Sequence, residues 1–252
     1  MDKPIRVTVW NEFHDDKRWK IITDRYPGGV HAYIGHFLEQ DCGFTVSVHT
    51  LDDPQQGLSD EILEQTDVLI WYSHVRDHLV EEDRIEKIIS RVVQDGMGLI
   101  LLHSGIFSKL GKRLIGPRGG GCYREIEELE RVFVVDRSHP IADGLPEYFE
   151  FPASEMYSEP SDIPIPDELV FLSWYAGGNV GRSGYTYRRG AGKIFCFTPG
   201  HCWYDVMLYP EFHQVVSNAV RWANPVQHPA VQSRGRIEAI VPQRTRQSEP
   251  GK

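Results

Sequence analysis

Residues 99–105 read "LILLHSG", a run of four apolar residues that ends abruptly in a histidine, a serine and a glycine. An apolar run without polar alternation is typical of a strand that is buried on both faces of a parallel sheet. Open α/β sheets bind their ligands at the carboxyl ends of such strands. His103 and Ser104 therefore indicate a candidate functional site where this strand ends.

The sequence before this strand alternates between strand patterns and helix patterns. The strand patterns lie at 5–10, 44–51 and 67–74. Helix patterns lie between them at 31–40, 59–65 and 80–96, with Ser59 as the predicted N-cap of the second and Gly96 at the end of the third. Strands that alternate with helices imply right-handed crossovers, so we predict an α/β fold with a parallel sheet covered by helices on both faces.

The rest of the sequence has a less regular pattern. Six prolines between 139 and 168 exclude a long helix there, and strand patterns return at 168–174, 183–189 and 192–200 before a final helix at 209–223. These patterns predict one domain over 1–225. Residues 226–252 are polar and poor in large apolar groups, so we expect a tail that packs on a neighbouring subunit of a homo-oligomer.

Composition narrows the class of protein. The 252-residue chain carries a formal net charge of −9, which disfavours nucleic acid as a partner because phosphate binding needs clustered Lys and Arg. No apolar run approaches the roughly 20 residues of a membrane span, and the N-terminus lacks the apolar region of a secretory signal. Four scattered cysteines predict reduced thiols. We therefore expect a cytoplasmic protein with neither membrane nor nucleic-acid partners.

Three histidines directly follow predicted strands or their turns: His74, His103 and His201. Strand ends of a parallel sheet lie along one edge, so these imidazoles are expected to meet. They could bind zinc or another divalent metal, with Glu155 or Glu12 as an oxygen ligand, or act as general acid and base without a metal. The sequence contains neither HxH nor HExxH, and the spacing of the three histidines does not decide between metal binding and acid–base catalysis.

The remaining histidines give no such signal and are interpreted as structural or surface residues: His14, His31, His36, His49, His78, His139, His213 and His228. The segment 151–159, which holds Glu155, is interpreted as a loop too long to be a mere connection. The glycine-rich stretch "GPRGGG" at 116–121 fits neither GxGxxG nor a P-loop and is interpreted as a mobile loop. No nucleotide cofactor is expected.

Aromatic and polar residues cluster near the same strand ends. Aromatic faces combined with carboxylates and imidazoles suit a sugar ring, which offers apolar C–H faces and hydroxyl groups. Packing in the core explains the aromatic residues equally well. If a small-molecule sugar is bound, the candidate substrate-binding residues are Trp10, Asn11, Glu12, Ser104, Tyr157 and Tyr204.

Four motifs in this order resemble those of the ThuA-like, or trehalose utilisation, family: "LLHSG", "SHPIADGLP" at 138–146, "SEMY" at 154–157, and "GKIFCFTPGHCWY" at 192–204 with the helix that follows it. The resemblance spans roughly residues 4–225. It implies the fold of class I glutamine amidotransferases, a flavodoxin-like, three-layer, doubly wound and mostly parallel sheet. It also implies a role in the utilisation of trehalose and related disaccharides.

The sequence departs from the amidotransferases in its chemistry. Their nucleophilic cysteine stands in a Cys-x-Gly triplet after a central strand, where this chain has His103, Ser104 and Gly105. His201 matches their catalytic histidine, but Trp203 stands where they have a glutamate. Without a thiolate, a γ-glutamyl thioester cannot form by that route, so glutaminase activity is not expected.

Three functional hypotheses remain open. The first is an enzyme of carbohydrate metabolism, a hydrolase or isomerase, in which His103, His201 and Glu155 act on a disaccharide or keto-sugar. The second is a non-catalytic sugar-binding or regulatory protein that kept an amidotransferase-like scaffold and lost its chemistry. A weaker third hypothesis is a hydrolase that uses Ser104 as nucleophile, although Ser104 lies one residue from the position of the thiol.

Overall fold

The computed structural model of the protein describes residues 3–226, so the predicted tail lies outside the described residues apart from its first one. One sheet of nine strands dominates this part of the chain, in the spatial order β2-β1-β3-β4-β9-β8-β7-β5-β6. The strands are β1 Arg6–Asn11, β2 Thr45–Thr50, β3 Val68–Tyr72, β4 Gly98–Leu102, β5 Gly121–Val134, β6 Tyr148–Ser161, β7 Glu168–Tyr175, β8 Val180–Arg189 and β9 Gly192–Phe197.

Five neighbouring strands, β2, β1, β3, β4 and β9, are parallel. Every residue of β3 and β4 is buried, as the unbroken apolar runs predicted. The register pairs Trp71 with Leu101 and Leu101 with Cys196, so β3, β4 and β9 end almost level with one another. Side chains that follow these three strands therefore emerge close together.

The other half of the sheet is antiparallel: β9 pairs with β8, β8 with β7, β7 with β5, and β5 with β6. The predicted α/β class is confirmed. The sheet is mixed, however, and the predicted mostly parallel, flavodoxin-like sheet does not describe the antiparallel strands. The physical reason is that no α-helix separates the four strands from β5 to β8, and strands joined without a crossover helix pair in the antiparallel sense.

One prediction about the second half of the chain was wrong. Residues 151–159, interpreted above as a loop, lie within the 14-residue strand β6, and Glu155 is at its centre. Prolines at 152 and 160 do not prevent this, because β6 is at the edge of the sheet and has a partner on one side only. Glu155 is therefore held by a strand, not by a loop.

Seven α-helices within the described residues cover the sheet. The three predicted helices of the first half are present, and Ser59 accepts a hydrogen bond from the backbone N–H of Ile62 at 3.3 Å, as an N-cap does. Three short helices were not predicted. The seven are α1 Asp15–Arg18, α2 Lys20–Arg25, α3 Val30–Cys42, α4 Asp60–Glu64, α5 Glu82–Val93, α6 Lys109–Leu114 and α7 Pro210–Ala223.

Two apolar clusters fill the molecule, one on each face of the sheet. The first lies under α3 and α7 and extends from Val9 in the parallel half to Phe151 in the antiparallel half. The second lies under α5 and α6 and includes the stacked rings of Trp10 and Trp71. Since both clusters include residues of both halves, the two halves are packed as one unit. No helix among the described residues is long and apolar enough to cross a membrane.

Candidate functional site

Three imidazoles meet where β3, β4 and β9 end. His103 directly follows β4, His74 comes two residues after β3, and His201 lies just beyond β9. Their ring centroids are 5.9 Å apart for His74 and His103, 5.1 Å for His74 and His201, and 5.0 Å for His103 and His201. The adjacent positions of the three strands in the sheet produce this cluster from residues far apart in sequence, as the sequence predicted.

His103 occupies a sharp turn. Its φ of 53° is in the left-handed region, which costs a non-glycine residue about 1–3 kcal/mol. The side chain is buried, and its Nδ1 lies 3.0 Å from the carbonyl oxygen of Thr198. Because a carbonyl oxygen can only accept a hydrogen bond, Nδ1 of His103 carries a proton that it donates to Thr198, and Nε2 faces the cluster. Gly105 ends the same turn close to β3, since a Cβ atom at Gly105 would lie 3.0 Å from the carbonyl oxygen of Trp71.

His74 is oriented by an acidic partner. Its Nδ1 lies 2.9 Å from Oδ2 of Asp15, which is in α1. Burial lowers the pKa of His74, but the hydrogen bond and charge of Asp15, with further acidic groups, outweigh burial and raise that pKa overall. The same hydrogen bond lowers the pKa of Asp15. Asp15 therefore fixes both the direction of the His74 ring and the nitrogen that points into the cluster.

His201 is buried, and burial changes its protonation strongly. Burial, reinforced by the neighbouring His103 and His74, lowers the pKa of His201 to about 2. His201 is thus neutral at neutral pH. Its Nδ1 accepts a hydrogen bond from the backbone N–H of Trp203 at 3.2 Å, and its Nε2 faces two carboxylates, at 3.8 Å from Glu125 Oε1 and 3.9 Å from Glu155 Oε2.

Glu155 reaches the cluster from the antiparallel half of the sheet. Its Oε2 lies 3.1 Å from Nε2 of His103, yet neither atom has a hydrogen-bond partner, and both side chains are at most 4% exposed. Because Nδ1 of His103 donates to Thr198, a neutral His103 directs an Nε2 lone pair toward a carboxylate oxygen. A buried polar group without a partner costs about 1–3 kcal/mol, so this pair marks the cluster as a place for a ligand, a proton or a cation.

A pocket of about 340 Å³ opens beside the cluster. One wall is aromatic: the rings of Phe107 and Tyr157 stack with centroids 6.0 Å apart, and Tyr157 contacts His103 edge-on at 5.1 Å. Polar groups line the rest of the pocket. The lining residues are His74, Asp77, Ser104, Phe107, Ser108, Gly120, Gly121, Tyr123, Glu125, Glu155 and Tyr157.

The structure brings three of the six predicted substrate-binding residues to this site. Ser104 and Tyr157 line the pocket, and the ring of Tyr204 lies 5.7 Å from that of His201. The hydroxyl of Ser104 donates to the carbonyl oxygen of Ser73 at 2.8 Å. Its proton is therefore directed away from the imidazoles, and the geometry gives no support to Ser104 as a nucleophile.

The other three predicted substrate-binding residues serve the scaffold instead. Trp10 is fully buried against Trp71, and its indole N–H donates to the carbonyl oxygen of Gln56. Asn11 is buried and donates to Asp16. Trp10 and Asn11 are the last two residues of β1, which lies one strand further from the centre of the site than β3, so we do not propose that they bind substrate.

Glu12 holds the segment that carries His74. Its two carboxylate oxygens accept hydrogen bonds from the backbone N–H groups of Val75 and Arg76, each at 2.8 Å. Glu12 is buried, and both of its oxygens are used in this way. It is therefore neither a substrate-binding residue nor an oxygen ligand in our interpretation, but it stabilises the turn after β3.

Sequence reasoning missed several residues of the site. Asp15 could have been predicted, because it stands in the polar segment that follows β1. Glu125 and Tyr123 lie in β5 and line the pocket, and nothing in their spacing indicated this. Thr198 contributes its backbone carbonyl, which the identity of a side chain cannot predict.

Comparisons with known proteins agree with this architecture. The sequence profile of the ThuA family, described as "Trehalose utilisation", matches residues 6–223. The chain belongs to the ThuA family. This family assignment, predicted above from four motifs, is thereby confirmed. A search of curated proteins gives no match.

Solved structures similar to this ThuA family member share its fold at low sequence identity. A ThuA-like protein from Bacteroides uniformis ATCC 8492 is 18% identical, with a TM-score of 0.65 over 88% of this chain and 92% of that one. A ThuA-like protein from Parabacteroides merdae ATCC 43184 is 14% identical, with a TM-score of 0.62 over 90% and 93%. A cytoplasmic protein from Salmonella typhimurium is 13% identical, with a TM-score of 0.54 over 88% and 100%. At such identities the likeness shows the fold alone.

Proposed function

We propose that this protein is an enzyme of carbohydrate metabolism that acts on a disaccharide or keto-sugar in the pocket beside His103, His201 and Glu155. One observation carries the proposal: a buried carboxylate and three buried or half-buried imidazoles lie at the end of a pocket with an aromatic wall. An aromatic wall with a few convergent polar groups is the usual form of a small-molecule site. Membership of a family described as "Trehalose utilisation" supports a sugar as the small molecule.

Tyr157 and Phe107 are placed to pack against the apolar face of a sugar ring. The hydroxyl groups of that ring would then point to Asp77, Ser104 and Glu125, which line the polar part of the pocket. A disaccharide or a single oxidised sugar is of a suitable size for a pocket of about 340 Å³ that is open to solvent. Substrate binding therefore combines stacking on one side with hydrogen bonds on the other.

Glu155 is the proposed proton acceptor. It is buried, and its Oε2 is free of hydrogen bonds, so it can take a proton from a hydroxyl group or from the carbon next to a carbonyl group. His201, whose neutral ring carries its proton on Nε2, would donate to the sugar oxygen on which negative charge develops, and Nε2 of His103 would accept a hydrogen bond from a sugar hydroxyl group. When Glu155 returns its proton to the oxygen or to a neighbouring carbon, the carboxylate is restored and no other reactant is consumed.

Binding of a sugar without turnover is the second candidate function. The observation in its favour is that the left-handed position after β4 holds His103, while the hydroxyl of the adjacent Ser104 is hydrogen-bonded to a backbone carbonyl. Neither group is arranged as a nucleophile beside a base. A scaffold that has lost nucleophilic chemistry can still present a binding pocket.

We also infer that the protein acts in the cytoplasm. A structurally similar protein from Salmonella typhimurium is described as cytoplasmic, and the four cysteines of this chain are free. Assembly into a homo-oligomer stays a prediction.

The proposed function is tested with trehalose and with trehalose oxidised to a keto-sugar, each incubated with the protein in D₂O and followed by NMR. We expect a product, or exchange of a carbon-bound proton for deuterium, with one of the two. Glu155→Gln should reduce the rate at least about 100-fold, as expected for loss of a group that transfers protons. His36→Ala is the matched control, because His36 is exposed on α3, and it should not change the rate.

Two results would contradict the proposal of an enzyme that uses these residues. One is turnover that His103→Ala, His201→Ala and Glu155→Gln leave unchanged, which would place the chemistry elsewhere. The other is binding of either sugar, measured by calorimetry, with neither product nor exchange. That second result would support the non-catalytic sugar-binding protein.

A further inference from the structure

We propose that His74, His103 and His201 bind one zinc ion, with an open coordination position that faces the pocket. The proposal deepens the proposed function, because it assigns the polarising charge at that site to a metal ion. It rests on four observations: the spacing of the imidazoles, the groups that orient them, two buried atoms without partners, and the chemistry of the donor set.

The spacing is close to that of a metal site. One nitrogen from each of the three rings lies within 4.8 Å of the other two. Zinc–nitrogen bonds of about 2.0–2.1 Å require each nitrogen to move inward by less than about 1 Å. Side chains at the ends of strands can make such a movement by small rotations about χ1 and χ2, with no change in the sheet.

Two of the three imidazoles are oriented as metal ligands usually are. A histidine that binds a metal through one nitrogen commonly donates its other N–H to a carboxylate or a backbone carbonyl. His74 has this partner in Asp15, and His103 has it in the carbonyl oxygen of Thr198. In both rings Nδ1 is engaged behind the cluster, so the Nε2 lone pair is left to point toward the other imidazoles.

His201 is held differently. Its Nδ1 accepts from the backbone N–H of Trp203 at 3.2 Å, so the neutral ring carries its proton on Nε2. Binding zinc through Nε2 moves that proton to Nδ1 and breaks this one long hydrogen bond. The remaining contacts of Nε2 are with Glu125 and Glu155, at 3.8 and 3.9 Å, and both carboxylates favour a cation at this position.

The two unpartnered atoms also point to a cation. Nε2 of His103 and Oε2 of Glu155 are buried 3.1 Å apart and are not aligned for a hydrogen bond. A zinc ion on Nε2 of His103 would replace this contact between two lone pairs with an attraction on both sides. Glu155 would then lie beside the ion, where it can accept a proton from a water molecule or sugar hydroxyl in the open position.

The donor set favours zinc over hard cations. Mg²⁺ and Ca²⁺ prefer oxygen ligands, whereas imidazole nitrogen suits zinc and the other late divalent metals. Three protein ligands and one open position form the usual arrangement of a catalytic zinc site. Such an ion polarises a bound carbonyl or hydroxyl oxygen, and Glu155 is placed to exchange the proton that this oxygen or its neighbouring carbon releases.

The test uses purified full-length protein, stripped with a chelator and titrated with Zn²⁺ in a calorimeter, with metal content measured by mass spectrometry. We expect one Zn²⁺ per chain. His103→Ala and His74→Ala should each abolish this binding. His74 is the safer variant for folding, because its side chain is 27% exposed. Asp15→Asn should weaken binding about 10- to 100-fold, as loss of a group that orients a ligand does.

Two further variants separate this inference from the proposed function. Glu155→Gln should keep its zinc while it loses turnover, and His36→Ala should keep both. Replacement of zinc by Co²⁺ should give the visible absorption of a four-coordinate site, and His201→Ala should remove that absorption. A stripped protein that takes up no Zn²⁺, or a His74→Ala variant that binds it as well as the wild type, would overturn the proposal even if the protein is active.

Discussion

The parallel and antiparallel halves of the sheet contribute to one site in different ways. The parallel half provides three imidazoles, each from a short polar segment directly after a buried strand. The antiparallel half provides Glu155 and Tyr157 from the middle of β6 and Glu125 from β5, so these side chains project from the strands themselves. The imidazoles thus come from strand ends, and Glu125 and Glu155 come from strand interiors.

The two halves of the sheet constrain the site unequally. A strand end in a parallel sheet is fixed by the strands on both sides, and β4 has β3 and β9 as neighbours. The segment of β6 that bears Glu155 is at the sheet edge and is paired with β5 alone, with register shifts nearby. We therefore expect the imidazoles to form the more constant part of the site and the hairpin of β5 and β6 to form the part that sets specificity.

The largest expected effect tests whether the two halves fold as one unit. Phe151 in β6 is fully buried and contacts Phe149 and Tyr209 edge-on, both at 5.6 Å. Phe151→Ala should lower the free energy of unfolding by about 3–5 kcal/mol, because it removes a large side chain from a shared core. Unfolding in urea should stay a single transition by both tryptophan fluorescence and circular dichroism.

Ile165→Ala is the control, since Ile165 is 91% exposed and should change the free energy of unfolding by less than about 0.5 kcal/mol. Two separate transitions in Phe151→Ala, with only the first shifted, would show that the halves are independent units. The parallel and antiparallel halves would then be two separate domains.

The next effect tests how the hairpin of β5 and β6 is held against the rest of the sheet. A Cβ atom at Gly181 in β8 would lie 2.3 Å from the carbonyl oxygen of Tyr157 in β6. Gly181→Ala should therefore force the two strands apart and lower the free energy of unfolding by about 1–3 kcal/mol. At Gly120 an added Cβ meets no atom within 4 Å, so Gly120→Ala should be close to neutral. Equal effects of the two variants in thermal unfolding would exclude this close packing.

A third effect is expected in the antiparallel half alone and depends on pH. Glu130 in β5 is fully buried, and burial raises its pKa to about 6 although Ser154, Ser173 and Tyr175 donate hydrogen bonds to it. Native protein therefore keeps a proton that the unfolded chain has released between pH 4.5 and 6. The free energy of unfolding should fall by about 2 kcal/mol as pH rises through this window, and stay lower above it.

The measurement is urea unfolding at several pH values for the wild type and for Glu130→Gln, which cannot titrate. The difference between the two proteins isolates Glu130 from the other acidic groups. We expect that difference to change across this window and to be constant above pH 7. Glu39→Gln, at an exposed position of α3, serves as the control and should show no such change. A difference that is the same at every pH would mean that Glu130 keeps its ordinary pKa.

The smallest expected effect concerns the N-cap of α4, in the parallel half. Ser59→Ala removes the side chain that accepts from the N–H of Ile62 at the start of α4, and should lower the free energy of unfolding by about 1 kcal/mol. Ser90→Ala, in the middle of α5, should be neutral or slightly stabilising, because alanine is the best helix former. If the two variants had the same thermal stability, the cap predicted from the sequence would have no energetic role.

The predictability of this molecule follows the same division. Buried parallel strands such as β3 and β4 are visible as unbroken apolar runs, and the short segments after them can hold only a few polar residues, so His74, His103 and His201 stood out. By contrast, β6 contains prolines and charged residues, which made a strand resemble a loop. The role of Asp15 depended on a short helix, α1, whose four residues give no periodic signal.

Trp10, Asn11 and Glu12 show a second limit. Trp10 and Asn11 end β1 and Glu12 follows it, and this position at a strand end was the reason to expect them in the site. Whether such a residue faces a pocket or the core depends on what packs above it, and here α1 and α2 follow directly. The pairing of Glu12 with the backbone N–H groups of Val75 and Arg76 joins residues 63 and 64 positions apart, which no local pattern indicates.

The place of β9 in the sheet has a consequence for folding. This strand closes the parallel half against β4, yet it follows all four antiparallel strands along the chain, and His103 lies 95 positions before its partner Thr198. During synthesis, the free side of β4 stays uncovered until the antiparallel strands have emerged, an interval in which an exposed strand can pair wrongly. His201 comes after β9, so the cluster of three imidazoles would be completed only near the end of the folding reaction. The residues of the candidate site are therefore brought together only at the last assembly step.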